Sequence, residues 1–80
     1  MDKQDIISKV NEFLIDEFEI EDEDIQPDAS WKDIGIDSLD FVDIVVVVET
    51  VFGLVIKGED MVNVKTLEQF YHFIDHRLNS

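Results

Sequence analysis

The stretch from Asp37 to Phe52, DSLDFVDIVVVVETVF, decides what class of fold this chain can adopt. Four consecutive valines favour a strand, and VVVVETVFGLVIK can be drawn as a β-hairpin. Three features argue instead for a helix. Asp37 followed three residues later by Asp40 has the spacing of a capping pair. Acids crowd the first turn, where the helix dipole favours them. A wheel at about 100° per residue also sorts the side chains, which a period of two does not. It puts Phe41, Ile44, Val45, Val48, Val51 and Phe52 on one side, and Leu39, Val42, Asp43, Val46, Glu49 and Thr50 on the other. The helix penalty of roughly half a kcal/mol per valine is offset by burial of the first side.

The rest of the chain agrees with an all-α architecture. Ile6, Ile7, Val10, Phe13, Leu14 and Phe18 recur at three- and four-residue steps, predicting an amphipathic helix near residues 3–17 with Asp2 as its cap. The acidic stretch from Glu19 to Asp33, which holds the single proline Pro27, reads as a loop from which Trp31 and Ile34 turn back into the core. Gly53 and Gly58 break the chain after the valine-rich helix, and Glu59 to Asn63 leaves room for about one short helical turn. Thr66 and Gln69 have capping-box spacing ahead of Leu67, Phe70, Tyr71, Ile74 and Leu78. The expectation is a small four-helix bundle, with helices near 3–17, 38–52, 59–63 and 66–78, forming one domain over residues 1–80.

Eighty residues make a core only just large enough to fold unaided. The absence of cysteine removes disulfides and thiolate metal sites from consideration and fits a reducing, cytoplasmic setting. The longest glycine-free apolar run, Ile44 to Val48, is far short of a membrane span, and MDKQDIIS lacks the layout of a signal peptide. Neither membrane insertion nor secretion is expected.

Twenty acidic residues against six basic ones give a formal net charge of -14, so nucleic acid and anionic lipid surfaces would repel the chain. Acidity can serve solubility alone. Its placement suggests more: the second face of the predicted helix shows Leu39, Val42 and Val46 bordered by Asp43 and Glu49, an apolar stripe with charged edges that suits docking of a basic partner. The competing reading is that a further element covers the stripe.

Ser38 stands at the start of that helix. An ordinary serine there is a cap. GIDSL superficially resembles the GDSL of some lipases, with Asp75 and His76 as nominal partners. The isoleucine interrupts that motif, and so short a chain cannot build the sheet, oxyanion hole and cleft that a catalytic serine requires. No catalytic residue is assigned. Modification by another enzyme fits better, since a phosphate on Ser38 would lie near free backbone amides at the positive end of the dipole. His72 and His76 are one turn apart and flank Asp75, but no third ligand is spaced to join them. The window from Asp22 to Asp33 has the length of a calcium loop but carries Pro27 where glycine is needed and Asp33 where glutamate is. No metal site is assigned.

Taken together, Gly35-Ile36-Asp37-Ser38-Leu39-Asp40 is similar to the Gly-x-Asp-Ser-Leu signature of acyl carrier proteins, supported by SWKDIG upstream, the acidic helix downstream and KTLEQFYHFI near the end. The resemblance covers nearly the whole chain and implies a discrete, monomeric carrier that performs no catalysis. It implies that Ser38, flanked by Asp37 and Leu39, receives a 4′-phosphopantetheine arm from coenzyme A through a magnesium-dependent phosphopantetheinyl transferase. The arm's thiol would hold acyl intermediates as thioesters, shuttled between synthase enzymes of fatty-acid or polyketide-like pathways. Basic patches on those partners would meet Asp37, Asp40, Asp43 and Glu49 while Leu39, Val42 and Val46 pack against them. From Asp33 to Ile56 there are five acids and no Lys or Arg, as such steering requires. In the family acyl chains can enter between the helices, which makes Ile44, Val48, Ile56, Leu67 and Ile74 candidate lining residues, although core packing is the expected role of each. Phe41, Trp31, the run Val45–Val48 and Val55-Ile56-Lys57-Gly58 depart from the usual family pattern and point away from the housekeeping fatty-acid pathway. The rival from another class is an unmodified acidic interaction module in which Ser38 only caps; a calcium-responsive protein is a more distant one.

Overall fold

The computed structural model describes residues 1–79. Its order is α1 (Lys3–Phe18), a 3-10 turn (Asp22–Asp24), α2 (Asp40–Phe52), a 3-10 helix (Gly58–Asn63) and α3 (Leu67–Asn79). Among the described residues there is no strand, only an isolated antiparallel bridge between Ser30 and Thr66. The valine run is helical, as the wheel requires. No helix is long and apolar enough to cross a membrane among the described residues.

Sequence sets each helix end. Asp2 caps α1 by accepting a hydrogen bond from the Asp5 amide at 2.9 Å. At its other end α1 stops on Glu19 in the left-handed region, φ 55°, where glycine is the usual residue. For α3, the Gln69 amide donates to Thr66 Oγ1 at 3.2 Å, while the Gln69 side chain accepts from the Lys65 amide at 2.7 Å, one residue earlier than the standard box would have it. The third helix is 3-10 in geometry, closed by the Lys57 amide donating to Asp60 Oδ2 at 2.9 Å. The Asp22–Asp24 turn lies inside the stretch read from sequence as loop.

The core draws Ile6, Val10, Phe13 and Leu14 from α1, Ile44 and Val48 from α2, Met61 from the 3-10 helix, and Leu67, Phe70, Tyr71 and Ile74 from α3. No polar or charged side chain is buried among the described residues. An aromatic series runs through it edge to face: Phe13 meets Phe70 at 6.5 Å, Phe70 meets Trp31 at 5.1 Å, and Trp31 meets Phe41 at 5.8 Å. Trp31 and Ile34 do turn inward, and the indole N–H donates to the Val64 carbonyl at 2.8 Å, so its polar atom is satisfied in the interior. The Tyr71 hydroxyl donates to Asn11 Oδ1 at 2.6 Å, joining α3 to α1. Burial pushes the Tyr71 phenol above its ordinary pKa, and the Asn11 bond opposes that shift.

The loop before α2 is tied down. The amides of Leu67 and Glu68, free at the start of α3, donate to the carbonyls of Ala29 and Pro27 at 3.0 and 2.9 Å. Ser30 and Asp33 close the adjoining turn reciprocally: the Ser30 amide donates to Asp33 Oδ2 at 3.0 Å and the Asp33 amide to Ser30 Oγ at 3.1 Å. Hydrogen bonding from Ser30, its amide first and its hydroxyl second, holds the Asp33 carboxyl below its usual range. That spacing, an acid three residues after a serine, was visible in the sequence and is a missed capping signal.

Candidate functional site

Gly35 brings the chain to the start of α2. Its φ of 81° is a left-handed turn that glycine adopts without strain, and Ile36, buried next to it, fixes the entry by donating its amide to the Trp31 carbonyl at 2.8 Å. From there the capping pair operates as the spacing predicts. Asp37 Oδ1 accepts from the amides of Leu39 and Asp40 at 2.9 and 3.2 Å, and Asp40 Oδ2 accepts from the Asp37 amide at 3.2 Å.

Two consequences differ from the sequence reading. Ser38 and Leu39 form a tight turn, with the Asp40 and Phe41 amides bonded to the Asp37 and Ser38 carbonyls at 3.1 and 3.3 Å, so regular α2 begins at Asp40 rather than at residue 38. The amides expected to be free beside Ser38 are also largely taken, because the Asp37 carboxylate occupies those of Leu39 and Asp40. Only the Ser38 amide itself has no hydrogen-bond partner in this turn among the described residues.

Ser38 is exposed, and its hydroxyl makes no hydrogen bond among the described residues. It is a primary alcohol on a fixed turn, open to an incoming group, and that arrangement fits a covalently attached prosthetic arm.

The outward face of α2 is uncovered. Leu39 is 80 % exposed, Val42 66 % and Val46 57 %, so no further element lies over the stripe among the described residues. Asp37, Asp43 and Glu49 are exposed beside it; Asp40 is partly buried by its capping role. The Thr50 hydroxyl turns back to donate to the Val46 carbonyl at 3.0 Å. On the inward side Ile44 and Val48 are fully buried and Phe41, Val45 and Phe52 pack against the core, but Val51, assigned to that side from the wheel, is 37 % exposed. Ile44, Val48, Ile56, Leu67 and Ile74 all belong to the packed core. Phe41 and Trp31, on either side of Ser38 in sequence, meet edge to face one turn beyond it.

The other candidates are not assembled. His72 and His76 stack on the surface with ring centres 6.5 Å apart, and no three His, Cys, Asp or Glu residues come together as a metal site among the described residues. In the Asp22–Asp33 window the Asp33 carboxylate is engaged with Ser30.

Comparison with known proteins identifies the family. The sequence profile of the family described as "Phosphopantetheine attachment site" matches residues 8–74. The chain is 31% identical over 80 residues to an acyl carrier protein of Petrotoga mobilis, covering 99% of this chain and 94% of that one. It is 29% identical over 75 residues to an acyl carrier protein of Rubrobacter xylanophilus, covering 92% and 93%. A third, from Thermosynechococcus vestitus, is 30% identical over 79 residues and covered at 98% on both sides. The match runs from α1 into α3 with the exposed serine near its middle, and the chain belongs to the acyl carrier protein family, whose members bear covalently attached 4′-phosphopantetheine.

Proposed function

We propose that Ser38 is the residue that takes the arm, and that residues 1–80 act as a single carrier domain, a shuttle rather than a catalyst, handing acyl groups between enzymes. The observation that carries this is the exposed Ser38 hydroxyl, held on a turn by the reciprocal Asp37–Asp40 cap beside an uncovered apolar stripe. When bound, the arm supplies a thiol on which an acyl group is held as a thioester. Ser38 Oγ supplies the ester oxygen. With the Leu39 and Asp40 amides occupied and carboxylates on both sides, the turn offers little cradle for a phosphate, so Ser38 would hold the arm through its covalent bond.

Leu39, Val42 and Val46 give partner enzymes an apolar contact, and Asp37, Asp43 and Glu49 draw basic patches toward it, so charge sets the encounter rate while a small apolar area permits release. A net charge of -14 disfavours nucleic acid and anionic membranes as partners. The partners are a phosphopantetheinyl transferase and acyl-processing synthases, in a cytoplasmic setting, with the chain acting as a monomer. Cargo of polyketide, aryl or aminoacyl type suits the Phe41–Trp31 pair near Ser38 better than the housekeeping fatty-acid pathway does.

The test is intact mass before and after incubation with a broad-specificity phosphopantetheinyl transferase, coenzyme A and magnesium. The apo protein should gain one phosphopantetheine unit and the Ser38→Ala variant none. No gain by the apo protein would leave the same stripe serving an unmodified acidic interaction module.

A further inference from the structure

A furrow lies between α1 and α2. α1 packs most closely on α3, and α2 on the 3-10 helix. Two hollows of about 560 and 580 Å³ occupy the furrow and share Glu17, Val46 and Val47, so they are successive stretches of one groove. Its apolar lining is Phe13 and Phe18 from α1 and Val46, Val47 and Val51 from α2. Glu12, Asp16, Glu17 and Glu19 wall it on the α1 side, and Asp40 and Asp43 on the α2 side. Lys9 is the single cation along it.

The α1 wall is electrostatically misplaced for helix stability. Glu12 and Asp16 stand four residues apart, where like charges repel. Asp16, Glu17 and Glu19 crowd the carboxyl end of α1, where the dipole disfavours acids, and no basic residue lies in the last turn. Local choices that oppose folding, placed along an exposed apolar floor, are the mark of a surface shaped by what binds it.

We propose that this furrow docks a cationic amphipathic helix of a partner protein, with one apolar edge on Val46, Val47 and Val51 and Lys or Arg residues on both flanks. The proposal rests on the docking role of α2 stated above. It adds the acids of α1 as the second half of the footprint. Charge complementarity selects the occupant: acids line both walls with one lysine between them, so a neutral or acidic segment would be repelled or unmatched.

The test titrates isotope-labelled protein with a synthetic amphipathic helical peptide of leucine and lysine, followed by NMR, against a scrambled peptide of equal charge. Saturable shifts should appear at Glu12, Asp16, Glu17, Val47 and Val51. The triple variant Glu12→Lys, Asp16→Lys, Glu17→Lys puts cations at the carboxyl end of α1, where the dipole favours them, and should fold, yet bind about tenfold more weakly at low salt. Val51→Ser, which leaves charge and the α2 stripe intact, should also weaken binding. Equal binding of the scrambled peptide, unchanged affinity in the triple variant, absence of saturable binding, or shifts confined to Leu39 and Val42 would overturn the furrow. Each can be read in protein that has gained its arm, so failure here is separable from failure of the carrier reading.

Discussion

α2 and α3 are each 13 residues long and put their apolar residues to opposite uses. α3 is the less apolar, yet Leu67, Phe70, Tyr71 and Ile74 are all buried, Phe73 and Leu78 are partly buried, and its other residues are polar. α2 is apolar over most of its length, yet only Ile44 and Val48 are fully buried, while Leu39 just before it and Val42, Val46 and Val51 within it meet solvent. Folding therefore uses α3 fully and α2 only in part. The surplus on α2 remains available for contact with other molecules, which is what a carrier needs and a purely structural helix would avoid.

The largest effect should come from α3. Phe70 is fully buried between the rings of Phe13 and Trp31, so Phe70→Ala should cost about 3–5 kcal/mol in urea unfolding followed by circular dichroism, most of what so small a domain has. A cost near that of a surface change would mean the aromatic series does not hold the bundle. Next comes the start of α2: Asp37→Ala removes the acceptor for two amides and should cost about 1 kcal/mol while slowing modification of Ser38, which its turn positions. Thr66→Ala, the matching cap on α3, should cost a similar amount and leave modification unchanged; equal effects of both variants on modification would erase the contrast. Smallest is the double variant Val42→Ala, Val46→Ala. Alanine is the better helix former by roughly half a kcal/mol per site and little burial is lost, so stability should hold or rise by up to about 1 kcal/mol while the transferase KM increases. A clear fall in melting temperature would show that the stripe belongs to the core after all.

Much of this was legible before any coordinates. The steps of three and four from Ile6 to Phe18 and from Leu67 to Leu78 are reproduced by α1 and α3, and the capping residues Asp2, Asp37 and Thr66 act at their helix starts. The exposed stripe followed from a wheel because Leu39, Val42 and Val46 lie in angle well away from the buried arc of Ile44 and Val48. Val51 fell on the wrong side because it lies at the edge of the buried arc, where neighbours rather than angle decide. That Asp37 also takes the Leu39 amide, leaving little free beside Ser38, was hidden because side-chain geometry chooses among the several amides within its reach. The Trp31–Phe41 contact and the α1–α2 furrow depend on how separate elements meet, which local periodicity does not encode.

The lacing of the long loop to α3 has a consequence for proteolysis. Residues 19–39 carry the polar, irregular composition at which proteases usually cut first. Here Pro27 and Ala29 hold the first amides of α3 and Trp31 holds Val64, so drawing that part of the loop into a protease cleft requires α3 to fray at the same moment. The segment leading to Ser38 therefore opens at a free energy closer to that of the bundle than to that of a loop. On the reading that Ser38 takes the arm, the serine that partner enzymes would handle is presented on a stretch of chain that resists being cut.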